Sequence, residues 1–282
     1  MSDLHSDLAL MEAAARQAGS VIMQYYQPGA PVQSHVHLQD KGRNNPLTKA
    51  DMEADRLLRT QLLANRPSYG WLSEETTDDA TRLACRRVWI VDPMDGTKEF
   101  IVGLPQFAVS IGLVEDGHPV AACIHNPASG ELFSAILGGG TRLNGQPVRA
   151  SRQAHLRGAS CLASRSETRH GDWEAFRQEL AITPMGSIAY KLALVAAGRF
   201  DLTFTLTPKN EWDFCAGTLL LQEAGGRVSD KDGQPCRFNQ HNPRVRSMLA
   251  SNGRLHDALL AYLEQAPLSP DRQMVPDQSG GA

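Results

Sequence analysis

Trp89-Ile90-Val91-Asp92-Pro93-Met94-Asp95-Gly96-Thr97-Lys98-Glu99-Phe100 carries an apolar run into two aspartates, a glycine and a threonine. The run reads as a short buried strand, Val88 to Val91, that delivers Asp92. Ligands bind at strand ends in α/β proteins. Two carboxylates three residues apart at such a mouth repel each other when both are charged and dehydrated, so a cation belongs between them. Gly96 and Thr97 follow with backbone N–H groups and a hydroxyl, which suit a phosphate if they open a helix. The plainer reading of Gly96-Thr97 is a tight turn and a cap.

Upstream, Leu4, Leu8, Met11, Ala15, Ala18, Ile22 and Tyr26 recur at helical spacing and predict an amphipathic helix that ends at Pro28-Gly29-Ala30-Pro31. Residues 32–45 are polar and read as a solvated loop or edge strand. They hold His35 and His37, an H-x-H pair with no Cys or His cluster beside it to complete a metal site. Thr48 followed by Asp51 has the spacing of a helix N-cap, and the helix continues through Leu57, Leu58 and Leu62. Asp51 is therefore either a capping acid or a carboxylate that orients a catalytic hydroxyl. Trp71-Leu72-Ser73-Glu74-Glu75 is either a strand end that delivers Glu74 or a solvated acidic loop.

Downstream, strands are expected at Phe107 to Val114, Val120 to Ile124 and Glu131 to Ile136, with hairpin signals at Glu115-Asp116-Gly117 and Asn144-Gly145. Gly138-Gly139-Gly140 lacks the Lys-Ser/Thr of a P-loop. Residues 1–150 thus read as helices on a largely antiparallel sheet that carries most of the acids. A composition shift near residues 149–158 marks a boundary. Residues 151–265 alternate strand and helix, as an α/β layer does. Cys161-Leu162-Ala163-Ser164 is a strand, Trp173 to Leu180 and Ile188 to Ala197 are helices, and Phe200 to Phe204 is a strand. Glu211 opens a helix to Ala224, Arg227 to Ser229 and Met248 to Ala250 are strands, and Leu255 to Leu263 is the last helix. Residues 266–282 are rich in Pro, Gly and polar residues and read as a disordered tail.

The 282 residues are 41% hydrophobic and 21% charged, an ordinary globular balance. A net charge of −3 without a basic stripe argues against a nucleic-acid polymer as partner. No signal peptide opens the sequence, and no run of about 18 apolar residues spans a membrane. Five scattered cysteines without a C-x-x-C pair read as reduced thiols of a cytoplasmic protein.

The acids at element ends are Glu74, Asp92, Asp95 and Asp213. Oxygen-only ligands favour hard cations, Mg²⁺ or Mn²⁺. Such an ion lowers the pKa of a bound water from 15.7 toward ~7, and a pair about 4 Å apart holds both attacking and leaving oxygens. The Thr97 hydroxyl is placed to orient the water, with Asp51 or Glu74 as proton relay.

Asp92-Pro93-Met94-Asp95-Gly96-Thr97 with Phe100 resembles the signature of the Mg²⁺-dependent, lithium-sensitive phosphatases of the inositol monophosphatase superfamily. Trp212-Asp213-x-x-Ala216-Gly217 resembles its second signature, and Pro46-Leu47-Thr48-x-Ala50-Asp51 and Ser73-Glu74-Glu75 match two further segments in the same order. The resemblance covers residues 5–262. It implies a layered α/β/α/β/α sandwich of the inositol monophosphatase and fructose-1,6-bisphosphatase type. It also implies two or three Mg²⁺ ions on Glu74, Asp92, the Met94 carbonyl, Asp95 and Asp213. Thr97 and Asp51 then position the water for direct attack without a phosphoenzyme, Li⁺ inhibits, and a homodimer is a common assembly.

For substrate, Lys98-Glu99-Phe100, Ala163-Ser164-Arg165-Ser166 and Gly186-Ser187-x-x-x-Lys191 look like segments of the CysQ-type 3'(2'),5'-bisphosphate nucleotidases, which remove the 3'-phosphate of 3'-phosphoadenosine 5'-phosphate. Asp95, Gly96, Thr97, Ser164, Arg165, Ser187, Lys191 and Asp213 are the expected substrate-binding residues, and among them Arg165, Ser187 and Lys191 could supply the site of a second phosphate. The plainer reading makes Lys191 an exposed helix residue and Arg165 a surface charge. Thr207-Pro208-Lys209-Asn210-Glu211 departs from that group, and Phe204-Thr205-Leu206 replaces the region where the inositol enzymes carry a sugar-contacting glutamate. Inositol 1-phosphate and histidinol phosphate remain as alternative substrates. Two rival functions are a haloacid-dehalogenase-like phosphatase, whose D-x-D-G-T loop is one residue shorter and forms an aspartyl phosphate, and a non-catalytic phosphate-ligand sensor.

Overall fold

The computed structural model of the chain describes residues 2–33, 36–40, 46–205 and 207–266. His35, the side chain of His37, Leu206 and the segment 267–282 lie outside the described residues.

The elements run α1 (Ser2–Met23), β1 (His37–Asp40), β2 (Pro46–Thr48), α2 (Lys49–Asn65), β3 (Gly70–Ser73), β4 (Arg87–Asp95), α3 (Thr97–Ile101) and β5 (Ala108–Glu115). Next come β6 (His118–Asn126), β7 (Glu131–Ile136), β8 (Thr141–Leu143), β9 (Gln146–Val148), β10 (Ser160–Ser164), α4 (Arg165–Arg169), β11 (Ala181–Met185) and α5 (Ile188–Ala196). The chain continues through β12 (Leu202–Phe204), β13 (Lys209–Asn210), α6 (Glu211–Glu223), β14 (Arg227–Ser229), β15 (Arg244–Val245), β16 (Leu249–Ser251) and α7 (His256–Gln265).

Strands β3 to β9 form a seven-stranded sheet in sequence order, antiparallel except for the β3–β4 pair. A five-stranded sheet has the order β11-β10-β12-β16-β14, in which the β11–β10 and β10–β12 pairs are parallel and β16 runs antiparallel to both of its neighbours. Helices α1 and α2 cover one face of the large sheet, α5 and α6 lie between the sheets, and α7 packs outside the small sheet against β16. This is the layered α/β/α/β/α sandwich.

Three apolar clusters glue the five layers. Trp89 and Val91 of β4 face α1 and α2, whereas Val88 and Ile90 face α5 and α6. The same alternation recurs at Ala121 and Cys123 against Ala122 and Ile124 on β6. A strand buried on both faces must be apolar throughout, which is why these segments read as continuous hydrophobic runs. Gly217 lets α5 and α6 meet: a Cβ there would lie 2.6 Å from the Leu192 Cβ.

Two expectations differ from the structure. The predicted helix over Trp173 to Leu180 is a single 3₁₀ turn at Glu174–Phe176, and the helical residues nearby are Arg165–Arg169. The spacing Trp173, Phe176 mimics a helix because it is also the period of a 3₁₀ turn. Both rings are fully buried against Phe204. Strand β11, not expected at all, contains Pro184 and sits at the sheet edge, where a residue without an N–H is tolerated.

All five cysteines are free. Among the described residues no helix is long and apolar enough to cross a membrane.

His256 closes the small sheet onto α7. Ser229 Oγ spends its hydrogen on the Asp230 carbonyl (2.7 Å), so it accepts from His256 Nε2 at 2.8 Å. Ser251 Oγ accepts from Gly253 N and donates its hydrogen to Nδ1 at 3.1 Å. The neutral ring is therefore the form that fits, and burial pulls its pKa from 6.5 down to about 4. With the folded value depressed, this stabilisation is complete above pH 6.5 and is lost as pH falls toward 4. Urea unfolding at pH 7.0 and 4.5 (~2.5 pH units apart, covering most of the titration) should show wild type losing more stability on acidification than His256→Asn.

Candidate active site

The site is set by an irregularity in β4. Asp92 pairs with Ser110 and Asp95 with Ala108, so three steps on β4 span two on β5. This is a bulge at Pro93-Met94, and Pro93 suits it because no N–H is lost from the ladder. In a regular strand residues three apart point to opposite faces. The extra residue resets the alternation, and Asp92 and Asp95 both line one cavity of about 650 Å³. Gly96 follows with φ 102°, a left-handed conformation, and a Cβ there would come within 2.5 Å of the Gln106 carbonyl oxygen.

The other acids reach the cavity from separate elements. Glu74 follows β3, which runs parallel to β4 and so ends beside it. Asp213 lies in the first turn of α6, its Oδ2 accepting from Asn210 N at 2.8 Å. Asp92 Oδ1 accepts from Met94 N at 3.0 Å, and Asp95 Oδ2 accepts from Ser187 Oγ (2.7 Å) and Ala189 N (2.6 Å).

These carboxylates crowd one another in a poorly solvated place. Burial first, then the charges of Glu74, Asp95 and Asp213, push Asp92 well above the ordinary carboxylate range. Burial, Asp95 and Glu74 push Asp213 up to about 8. Burial also raises Asp95, opposed by its two hydrogen bonds and by the Lys191 charge. A cation reverses every one of these penalties. The donor set is all oxygen, with the Met94 carbonyl at the same wall, and it fits a hard divalent ion. Among the described residues no three His, Cys, Asp or Glu side chains are already grouped as a metal site.

Asp51 caps α2 and also reaches the Thr97 hydroxyl. Its Oδ2 accepts from Thr48 N (2.8 Å) and Thr48 Oγ1 (2.5 Å), the reciprocal half of a capping box on α2. Its Oδ1 accepts from Thr97 Oγ1 at 3.0 Å. Thr97 Oγ1 also lies 3.1 Å from the Met94 carbonyl, so its single hydrogen chooses between two acceptors. Asp51 does not line the cavity, and burial lifts its pKa to about 6.

The remaining residues expected to bind substrate are also brought together. Ser164, Arg165, Ser187 and Lys191 line the same cavity as the acids. Lys191 is not an exposed helix residue: it is 2% accessible, because α5 lies between the two sheets, and burial lowers its pKa. Arg165 is half-buried, with its Nε 3.9 Å from Glu99 Oε1. Burial raises the Glu99 pKa.

Lys209 and Gln106 were not foreseen. Lys209 lines the cavity, and its Nζ donates to Thr207 Oγ1 at 2.8 Å. Thr207 in turn donates to Glu167 Oε1 at 2.9 Å. Gln106 accepts from Arg165 Nη2 at 2.8 Å and Gly186 N at 3.0 Å. The only sequence signal for Lys209 was the departure of Thr207-Pro208-Lys209 from family pattern, and for Gln106 there was none. The histidine pair near residue 36 contributes nothing describable, since its side chains lie outside the described residues.

A sequence model of the Inositol monophosphatase family matches residues 3–268. The inositol-1-monophosphatase of Mesorhizobium japonicum is 35% identical over 270 residues, which cover 93% of this chain and 97% of that protein. The Nus factor SuhB of Escherichia coli is 33% identical over 276 residues, covering 92% of this chain and 96% of that one. Among solved structures, the Thermotoga maritima IMPase superposes with a TM-score of 0.79 at 29% identity, over 94% of this chain and 97% of that chain. The extragenic suppressor protein suhB from Bartonella henselae superposes with a TM-score of 0.78 at 31% identity, over 91% and 98%. Matched along nearly its whole length in sequence and in fold, this chain belongs to the inositol monophosphatase family and is a phosphoric monoester hydrolase.

Proposed function

We propose that the chain is a Mg²⁺-dependent phosphomonoesterase whose substrate carries a second anionic group, with 3'(2'),5'-bisphosphate nucleotides as the favoured class. The observation that carries the reaction is the set of four acids from three segments around one cavity, beside the Thr97–Asp51 pair. Glu74, Asp92, the Met94 carbonyl, Asp95 and Asp213 would hold the metal. When bound, the ion neutralises phosphoryl oxygens and acidifies water.

The residues do the remaining work. Asp51 accepts the Thr97 hydrogen, which leaves the Thr97 oxygen lone pairs free to accept a hydrogen from an attacking water and fix its direction. Gly96 and Thr97 line the cavity, and their backbone N–H groups would serve phosphate oxygens there. Ser187 Oγ and Ala189 N hold Asp95 in place by direct hydrogen bonds. No nucleophilic aspartate is needed, so the reaction proceeds without a phosphoenzyme.

The second anionic group is supported by three cations, Arg165, Lys191 and Lys209, on the lining of a cavity that also holds the acids. Lys191 in particular is buried, with Glu167 and Asp95 as its anionic neighbours. A second reading, inositol 1-phosphate, is favoured by the names of the relatives and by Glu99, a carboxylate on the lining able to bind sugar hydroxyls.

Phosphate release should require Mg²⁺, persist with Mn²⁺, cease with a chelator and fall on adding Li⁺. Glu74→Gln and Asp95→Asn should each lower kcat by about 100-fold or more, the scale of losing one preorganised electrostatic group. Absence of Mg²⁺-dependent turnover on every phosphomonoester tested would reject the reading, and a trapped acyl phosphate would replace it with covalent catalysis.

A panel of 3'-phosphoadenosine 5'-phosphate, inositol 1-phosphate and histidinol phosphate separates the substrate readings. The bisphosphate should give the highest kcat/KM, by about tenfold, the value of one additional charge-assisted contact. A higher value for inositol 1-phosphate would assign the cavity to a polyol phosphate.

A further inference from the structure

Gln106 belongs to neither the acid cluster nor the cation wall, yet its carboxamide oxygen joins them. It accepts two hydrogen bonds, from Arg165 Nη2 at 2.8 Å and from Gly186 N at 3.0 Å. Those donors start two different segments. Arg165 opens α4 at the end of β10, and Gly186 precedes the cap of α5. Gln106 itself sits just before β5, the strand whose Ala108 pairs with Asp95.

The turn that Gln106 holds is under strain and in contact with the reacting end of the cavity. Ser187 has φ 56°, unusual for a residue with a side chain. Its Oγ donates to Asp95 Oδ2 and accepts from Tyr190 N at 3.0 Å. Gly186 has no room for a Cβ, which would lie 2.2 Å from the Glu99 Cδ. The turn is thus clamped by Asp95 on one side and by Gln106 on the other.

Arg165 is held less completely. Its Nε is buried without a hydrogen-bond partner, and Glu99 Oε1 lies 3.9 Å from it. Gln106 supplies its short side-chain contact, since the second acceptor of Nη2, the Pro184 carbonyl, is 3.5 Å away. A guanidinium with an unmet donor on the wall of a cavity needs a fixed direction to recognise an anion selectively.

We propose that Gln106 is a positioning residue for substrate discrimination: its carboxamide oxygen locks the Arg165 guanidinium to the Gly186-Ser187 turn, and so fixes where a second anionic group is held relative to the phosphate beside Asp95. The proposal rests on the two-anion reading of the cavity for its substrate. The role of Gln106 is separable from that reading, because it is defined by coupling to Arg165.

The test compares 3'-phosphoadenosine 5'-phosphate with adenosine 3'-phosphate, which differ only in the second anion, in wild type, Gln106→Met, Arg165→Met and the double variant. Methionine keeps the length and volume of glutamine and removes the acceptor. Thermal melting establishes that folded proteins are compared. Gln106→Met should lower the kcat/KM ratio of bisphosphate over monophosphate by about tenfold, through KM and not kcat. In the Arg165→Met background the same change should alter the ratio by less than about twofold, because the group it positions is gone. An equal fall of kcat on both substrates, or an undiminished tenfold effect without Arg165, overturns the proposal. If wild type shows no preference for the bisphosphate, the substrate reading fails on its own. The cycle is then read on KM of the preferred substrate, where coupled losses uphold the Gln106–Arg165 assignment and additive losses reject it.

Discussion

The repulsion between carboxylates buried at the end of β4 is the constraint around which the rest is arranged. An unbulged strand would have sent Asp92 and Asp95 to opposite faces, one into each apolar layer. One extra residue at Pro93-Met94 turns both toward a single cavity. The neighbouring strand β3 ends in parallel beside them and adds Glu74, and α6 adds Asp213 from the second half of the chain. Each addition raises the cost of leaving the group without a cation, as the upward displacement of Asp92, Asp95 and Asp213 records. The fold makes that cost bearable by embedding β4 in a sheet covered on both faces.

Helix α6 connects the chemistry to the core. Its first turn holds Asp213, while Phe214, Leu219, Leu220 and Leu221 are buried in the central cluster. Gly217 allows α5 to lie close alongside, and the start of α5 presents Ser187 and Ala189 to Asp95. Two helices packed between two sheets therefore carry their N-terminal ends to the same cavity. Donors at the start of α5 satisfy Oδ2 of Asp95, and Asn210 N satisfies Oδ2 of Asp213, which leaves the other oxygen of each for another partner. Local capping and site construction are the same event here. Asp51 is the clearest case, a capping acid whose second oxygen reaches Thr97.

The cavity is also bipolar. Acids from β3, β4 and α6 share its lining with Arg165, Lys191 and Lys209. The loop Thr207-Pro208-Lys209 is tied to Glu167 of α4 by Thr207 Oγ1, so the cationic side is itself braced by hydrogen bonds. Glu99 lies among these cations, close to Arg165 and against Gly186, and tempers their charge.

The acidic half of the candidate site was legible in the sequence because its residues are carried by short local patterns. Asp92-Pro93-Met94-Asp95-Gly96-Thr97 is one strand end and turn, Thr48-x-x-Asp51 is one cap, and Trp212-Asp213 opens one helix. Period and turn chemistry act over a few residues, so the elements around them were legible too, apart from the 3₁₀ turn near Trp173 and the proline-bearing edge strand β11. Tertiary structure alone decided the rest. Lys191 reads as an ordinary helix residue until α5 is placed between two sheets, where no face is exposed. Gln106 carries no pattern at all, and its meaning comes from two donors 59 and 80 residues away. Burial and long-range hydrogen bonding depend on which segments are stacked, and a local sequence pattern does not encode that stacking.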